Sequence, residues 1–144
     1  MISFDTNLLF PSLEPSHPDH TGARAFIQSL PKDGAAICEL VLVEVYVLTR
    51  NPAMCGRPLD GPSAVALIRT LRTNPDWRLI DYPGGLMEEV WNYASEPRFA
   101  RRRVFDARLA LTLRHHGVSQ FATANVKDFQ GFGFEKVWNP LTAA

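Results

Sequence analysis

The sequence is poor in cysteine, with only Cys38 and Cys55 among its 144 residues. Their spacing matches no metal or redox motif, and Cys38 lies in an apolar run where a thiol acts as a small core residue. A reducing cytoplasm is therefore the expected location. Net charge is also missing. Fifteen basic and fifteen acidic residues cancel, so no global field draws in nucleic acid or membrane, and such a partner must be held by a local patch. Long hydrophobic runs are absent too. The apolar run 40–48 is too short to span a bilayer and carries Glu44 in its middle. Asp5 interrupts the apolar start, so no secretory leader is expected. There is no phosphate-cradling glycine loop, no internal repeat and no low-complexity linker.

What is present describes an ordinary soluble globular protein, with 46% hydrophobic and 21% charged residues. The length suits one domain, 1–144, with a sizeable core. Strand and helix signals alternate. Ile2 and Phe4 form a short strand that runs into Asp5, after which Leu8, Leu9 and Phe10 ride on a helical turn. Pro11, Pro15 and Pro18 mark a loop. A helix follows through Ala23, Phe26, Ile27 and Leu30, then a buried strand at 35–38. Segment 39–50 has alternating valines that favour strand, but its length and the Asn51-Pro52 stop favour helix, which is the expected state. Being apolar all round, it should be buried on several sides, in part by another subunit. Pro62 opens a helix with the stripe Ala64, Leu67, Ile68 and Leu71. Strand 77–80 precedes a helix carrying Leu86, Val90 and Tyr93. A basic run then leads into a helix at 104–116, capped by Gly117. Short strands at 119–123 and 134–138 enclose a loop at 125–133. This alternation predicts an α/β fold with a parallel sheet covered on both faces.

Several acids sit where apolar packing disfavours them. Asp5 stands at the carboxyl end of the first strand, where such sheets expose their functional crevice, although it can also cap the next turn. Glu44 is surrounded by Val41, Leu42, Val43, Val45, Tyr46, Val47 and Leu48. An ionised carboxylate there needs a partner, either an arginine such as Arg50 or a bound cation. Asp106 shares a helix face with Leu109, Ala110 and Leu113, or else complements the helix dipole. Asp128 follows the late strand and is also an ordinary turn former. In a parallel sheet these places can meet at one edge. Convergent carboxylates repel one another unless a cation neutralises them, and oxygen-only ligands select a hard ion, Mg²⁺ or Mn²⁺.

Ile2-Ser-Phe-Asp-Thr-Asn-Leu-Leu, Leu42-Val-Glu-Val-Tyr-Val-Leu-Thr-Arg-Asn-Pro, Asp106-Ala-Arg-Leu-Ala-Leu-Thr-Leu and Phe121-Ala-Thr-Ala-Asn-Val-Lys-Asp-Phe follow one another along the chain. Together they resemble the PIN-domain ribonucleases, most of all the VapC toxin branch of toxin–antitoxin systems. The resemblance implies a three-layer sandwich with a central parallel sheet flanked by helices. It also implies metal-dependent hydrolysis of RNA phosphodiester bonds, a homodimer and an antitoxin partner. Carried over by position, Asp5, Glu44 and Asp106 match the family's three core metal-binding acids. The place of the fourth acid is taken by Asn125, with Asp128 three residues on, so either can fill that role and a second ion is in question. Thr6, Asn7 and Thr123 are expected to orient the carboxylates. Arg98, Arg101, Arg102, Arg103 and Arg108 suggest a rim that tracks phosphates, and the three tryptophans read as core or interface residues. The neighbouring His115 and His116 point different ways on a helix and support no zinc site. A non-catalytic PIN module that binds RNA or protein is the alternative function.

Overall fold

In the computed structural model, which describes residues 1–142, the first strand lies at the centre of the sheet. Strand β1 (Ile2–Phe4) pairs in parallel with β2 (Ala35–Cys38) on one side and β4 (Gln120–Ala122) on the other. Beyond them lie β3 (Trp77–Ile80) and β5 (Lys136–Trp138), giving the order β3-β2-β1-β4-β5, parallel throughout. The strands are short and apolar because they are covered. Ile37, Phe4 and Phe121 are fully buried, as a parallel sheet with helices over it requires. Ser3 is a buried polar residue of the central strand, and its hydroxyl donates to the Ala36 carbonyl at 2.7 Å, while the outer strands leave Arg78 and Lys136 exposed.

Six helices flank the sheet among the described residues: α1 (Thr6–Leu13), α2 (His20–Gln28), α3 (Glu39–Thr49), α4 (Gly61–Arg72), α5 (Leu86–Ala94) and α6 (Arg103–His115). Helix α1 packs on α2 and α3, α3 on α4, and α5 on α6. A 3-10 turn, Val126–Phe129, packs against α6. The core runs between these layers through Leu8, Leu9, Val41, Leu42, Val45, Val90 and Leu113. Gly117 ends α6 at φ +81, a backbone state that suits glycine. No helix of the described residues is long and apolar enough to cross a membrane.

Some local outcomes differ from what the sequence predicts, among them strand β5, shorter than 134–138, while the exposed face of α3 leaves room for the second subunit expected there. Pro11 belongs to α1 rather than to the loop after it. Proline forfeits a helical hydrogen bond, but Pro11 lies two residues from the helix end and is buried beside Phe10, so packing holds it in the helix. Helix α3 is not enclosed on all sides within the chain. Val43 and Val47 are more than half exposed, at 54% and 57%.

The strand order reverses between β1 and β4, so the connections leave the sheet in opposite directions there and open a crevice at its carboxyl edge. Asp5 follows β1 and Thr123 follows β4, and both face that crevice.

Candidate active site

Asp5 is where the crevice begins. Its backbone is extended and its Oδ1 accepts from the Thr6 N–H at 2.8 Å, so it caps α1. The other oxygen, Oδ2, accepts from the Thr123 hydroxyl at 2.8 Å and, at 3.5 Å, from the Asn7 side-chain amide. Asp5 thus caps the helix and also joins a side-chain lattice with Thr123 and Asn7. Thr123 is fully engaged. Its Oγ1 donates to Asp5 and accepts from Asn7 Nδ2 at 3.2 Å and from the Asn125 N–H at 3.0 Å. Asn7 Oδ1 in turn accepts from the Ala124 N–H at 3.1 Å. This lattice ties the start of α1 to the end of β4 and fixes the direction of the Asp5 carboxylate.

Glu44 and Asp106 come from α3 and α6 and line the same pocket, about 350 Å³, as Asp5 and Asn125. Glu44 sits at its mouth, with one side open to solvent and protein around the rest. Burial pushes its carboxyl up to about 7, and the neighbouring Asp5 and Asp106 add to this. Burial raises Asp106 to about 6, with Asp128 and Asp5 pushing the same way and Arg103 opposing weakly. Asp5 is also held above its ordinary range, first by burial, although its bonds from Thr123 and Thr6 pull it back.

No cation answers these acids. Among the described residues the one ion pair joins Arg72 to Glu39 at 3.0 Å, away from the pocket. The Arg50 that could have paired with Glu44 donates to the Tyr46 hydroxyl instead, at 2.9 Å. The Thr6 hydroxyl is buried and completes no hydrogen bond of good geometry, giving Glu44 only a weak polar pull. The donors are therefore oxygens, unpaired and mutually repelling, which is the chemistry a hard divalent cation satisfies. Among the described residues no three acids or histidines are gathered closely enough to form a ready-made cage.

Asp128 acts on the group by its charge, and on Asp106 more than Asp5 does. It lies near enough to raise Asp5 and Asp106, yet it does not line the pocket. Asn125 does, and its side chain makes no hydrogen bond among the described residues. The basic rim is smaller than the sequence suggests. Arg103 turns inward, its guanidinium lying over the rings of Phe99 and Phe132 while Nη2 donates to the Asp128 carbonyl at 3.0 Å. Arg108 lies over Tyr82, 3.9 Å from the ring centre. Arg98, Arg101 and Arg102 remain exposed.

The pocket also contains His17, Asp19 and Phe105, which sequence reasoning missed. His17 and Asp19 lie in the loop before α2, and nothing in their spacing shows that this loop folds over the acids. Phe105 did carry a signal, since it directly precedes Asp106. A larger hollow of about 540 Å³ lies beside Phe10, Thr49, Cys55 and Leu67. It holds a single acid, Glu14, and the Cys55 thiol there is pushed up to about 11, chiefly by burial and further by Glu14, which makes it a poor nucleophile.

No family profile matches the chain. It is 49% identical to Ribonuclease VapC24 of Mycobacterium tuberculosis over 144 residues, covering 99% of each protein. Solved structures with the same fold include the Mycobacterium tuberculosis sarcin-ricin loop cleaving toxin VapC20, at TM-score 0.67 and 19% identity over 84% of this chain and 87% of that one. FitAcB from Neisseria gonorrhoeae gives 0.65 and 20% over 99% and 100%, and a toxin–antitoxin complex from Klebsiella pneumoniae gives 0.61 and 22% over 97% and 98%. With half its residues shared along its whole length with a VapC ribonuclease, and a fold shared with solved structures that include the toxin VapC20, the chain belongs to the VapC family of PIN-domain ribonucleases.

Proposed function

We propose that the protein is a Mg²⁺-dependent endoribonuclease, with Mn²⁺ as a working substitute, and the toxin of a type II toxin–antitoxin pair. The observation that carries this reading is the group Asp5, Glu44 and Asp106. These are three carboxylates from three separate elements, facing one crevice at the reversal of strand order with no cation paired to them. Evolutionary relatedness to a ribonuclease supports the same reaction class.

Asp5 and Asp106 would hold the ion, with Glu44 either completing the set or orienting a water. When bound, the ion would bring the pKa of a water towards neutrality and offset charge on the phosphate under attack. The protein supplies orientation. Thr123 and the Thr6 N–H fix the Asp5 carboxylate, so little freedom is lost when it engages a ligand. Glu44 is raised to about 7 in the metal-free site, so an ion bound beside it would displace a proton there and leave a carboxylate to ligate or to orient a water. Asn125 offers a neutral oxygen where a fourth acid would add charge, so the site is one carboxylate short of a full set. The exposed Arg98, Arg101 and Arg102 would offer cations to RNA phosphates and offset their repulsion by the carboxylates.

Two partners follow. The antitoxin is expected to cover the crevice and offer a basic side chain to its acids, in keeping with the toxin–antitoxin assemblies among the fold's solved structures. A second copy of the chain is expected against α3 and α4. There Val43 and Val65 open onto a shallow apolar hollow with Ile68, and Val47 adds to the same exposed strip.

Cleavage of RNA by the purified protein with Mg²⁺ or Mn²⁺, stopped by EDTA, is the expected result. Undiminished cleavage in EDTA would overturn the metal assignment. Failure to cleave any RNA with either ion, while RNA still binds, would point to a non-catalytic module.

A further inference from the structure

Of the nine phenylalanines in the chain, Phe105 is the one whose ring has no partner among the described residues. Phe4 packs against Trp77, Phe26 against Trp138 and Phe132 against Tyr93, while Phe121 contacts both Phe129 and Phe134. Phe10 meets His17, and Phe99 lies under Arg103. Phe105 is instead 66% exposed, more than any other large apolar side chain among the described residues. A helix normally turns such a residue inward, and α6 does bury Ala107, Leu109 and Ala110.

Its position gives the exposed ring a use. Phe105 lines the acid pocket next to Asp106, and Leu109, one turn further on, forms part of the floor. Just N-terminal to it are Arg101 and Arg102, both exposed. Met54, 45% exposed, lines the same pocket. An unpaired aromatic at the acid pocket, preceded along the chain by exposed cations, is a combination that suits single-stranded nucleic acid, with bases on the ring and phosphates on the arginines. A protein contact fits less well, because the cores of protein interfaces are depleted of charge and this ring sits between arginines and carboxylates.

We propose that Phe105 is a base-stacking platform that positions single-stranded RNA for cleavage, the base beside the scissile phosphate resting on its ring. The proposal rests on the ribonuclease reading above. Stacking makes no hydrogen bond to the base edge, so Phe105 fixes register and strandedness and leaves base identity to other contacts. Duplex RNA, whose bases are already stacked on one another, is excluded by the same device.

The test uses the full chain and a single-stranded RNA oligonucleotide that wild type cleaves, compared across Phe105→Ala, Phe105→Leu and Phe105→Trp. Circular dichroism confirms that each is folded, as expected for so exposed a position. Phe105→Ala and Phe105→Leu should raise KM by roughly 5- to 100-fold with kcat little changed, while Phe105→Trp keeps the wild-type value. The leucine variant separates stacking from simple apolar contact. In parallel, 2-aminopurine placed in the oligonucleotide should be quenched on binding to Asp106→Asn, which keeps the RNA whole. It should not be quenched by Asp106→Asn combined with Phe105→Ala. An unchanged KM in all three variants together with an unchanged quench would overturn the proposal. If such variants lose capture of the antitoxin instead, the ring is a protein contact and the proposal is equally overturned. Should wild type cleave no RNA, the ribonuclease reading fails by itself, and the quench comparison still decides the role of Phe105.

Discussion

Asp5 is pulled two ways. Burial favours its neutral form, while the Thr6 N–H and the Thr123 hydroxyl favour the anion. Removing the hydroxyl with Thr123→Val should therefore raise the Asp5 carboxyl further and free Asn7, lowering cleavage by about 10- to 100-fold, the usual cost of losing a group that orients a ligand. The pH–rate profile should shift its acid limb upward, which a purely structural loss would not do. Asp5→Asn and Asp106→Asn should each lower cleavage by more than about 100-fold, since they would remove the proposed ligands themselves rather than supports. Asp106→Asn should not lower the melting temperature of the metal-free protein, because it relieves repulsion, whereas Asp5→Asn also costs an acceptor to the Thr123 hydroxyl and the Asn7 amide and should lower it. Full activity in both would show that the site lies elsewhere. Asn125→Asp should tighten Mn²⁺ binding by roughly tenfold through added ligand charge, whereas Asp128→Ala, outside the pocket lining, should change it less. Equal Mn²⁺ affinities in wild type and both variants would show that neither residue senses the ion. The acids were legible in the sequence because each breaks an apolar pattern, and Thr123 was legible as the residue ending a strand. The inward turn of Arg103 was not. Its partners Phe99 and Phe132 come from opposite sides of α6, and no local pattern joins them.

Helix α3 shows how length outweighs local preference. Valine at 41, 43, 45 and 47 alternates as in a strand, yet the segment Glu39–Thr49 is helical. A helix places Val41, Leu42 and Val45 in the core together, while Val43 and Val47, four residues apart, share an outer strip. Neither position could be assigned to a face from sequence, because the segment is apolar on every side. Strand ends were similarly blurred. The stretch 119–123 forms strand only at Gln120–Ala122, since Thr123 leaves the ladder to serve Asp5. The outer strip of α3 makes a prediction about assembly. Val43→Glu with Val47→Glu should convert a dimer to a monomer by light scattering, because it sets like charges across a two-fold contact. The fold should tolerate both, as exposed substitutions rarely exceed about 0.5 kcal/mol. A wild type that is monomeric at micromolar concentration would remove the assignment of this face.

Across the whole molecule the unpaired acids link folding to pH and, if the proposed ion binds them, to metal. Asp106 and Glu44 rise from 3.8 and 4.5 to about 6 and about 7, and Asp5 is raised as well. Between about pH 4 and about pH 7 the folded protein therefore holds more protons than the unfolded chain, and its unfolding free energy falls as pH rises. This contribution is fully present below the unfolded values and is lost as pH passes through the folded ones. Glu14 and Asp60, held below their ordinary range by bonds from Ser16 and Ser63, act in the opposite sense and only at more acid pH. A divalent ion must displace the protons that burial retains, so its affinity should climb over the same window. At a free ion concentration about 100 times its dissociation constant it adds about 2.7 kcal/mol, which for a chain of this size is several degrees of melting temperature. Metal-free protein should thus melt lower at about pH 7.5 than at about pH 5, and Mn²⁺ should raise the melting temperature more at the higher pH. Asp106→Asn should flatten both trends, because it removes one of the protons being exchanged and one of the charges being neutralised. A Mn²⁺ shift that is the same at both pH values would mean that the ion binds away from these carboxylates, and the crevice at the reversal of strand order would lose its claim to the metal.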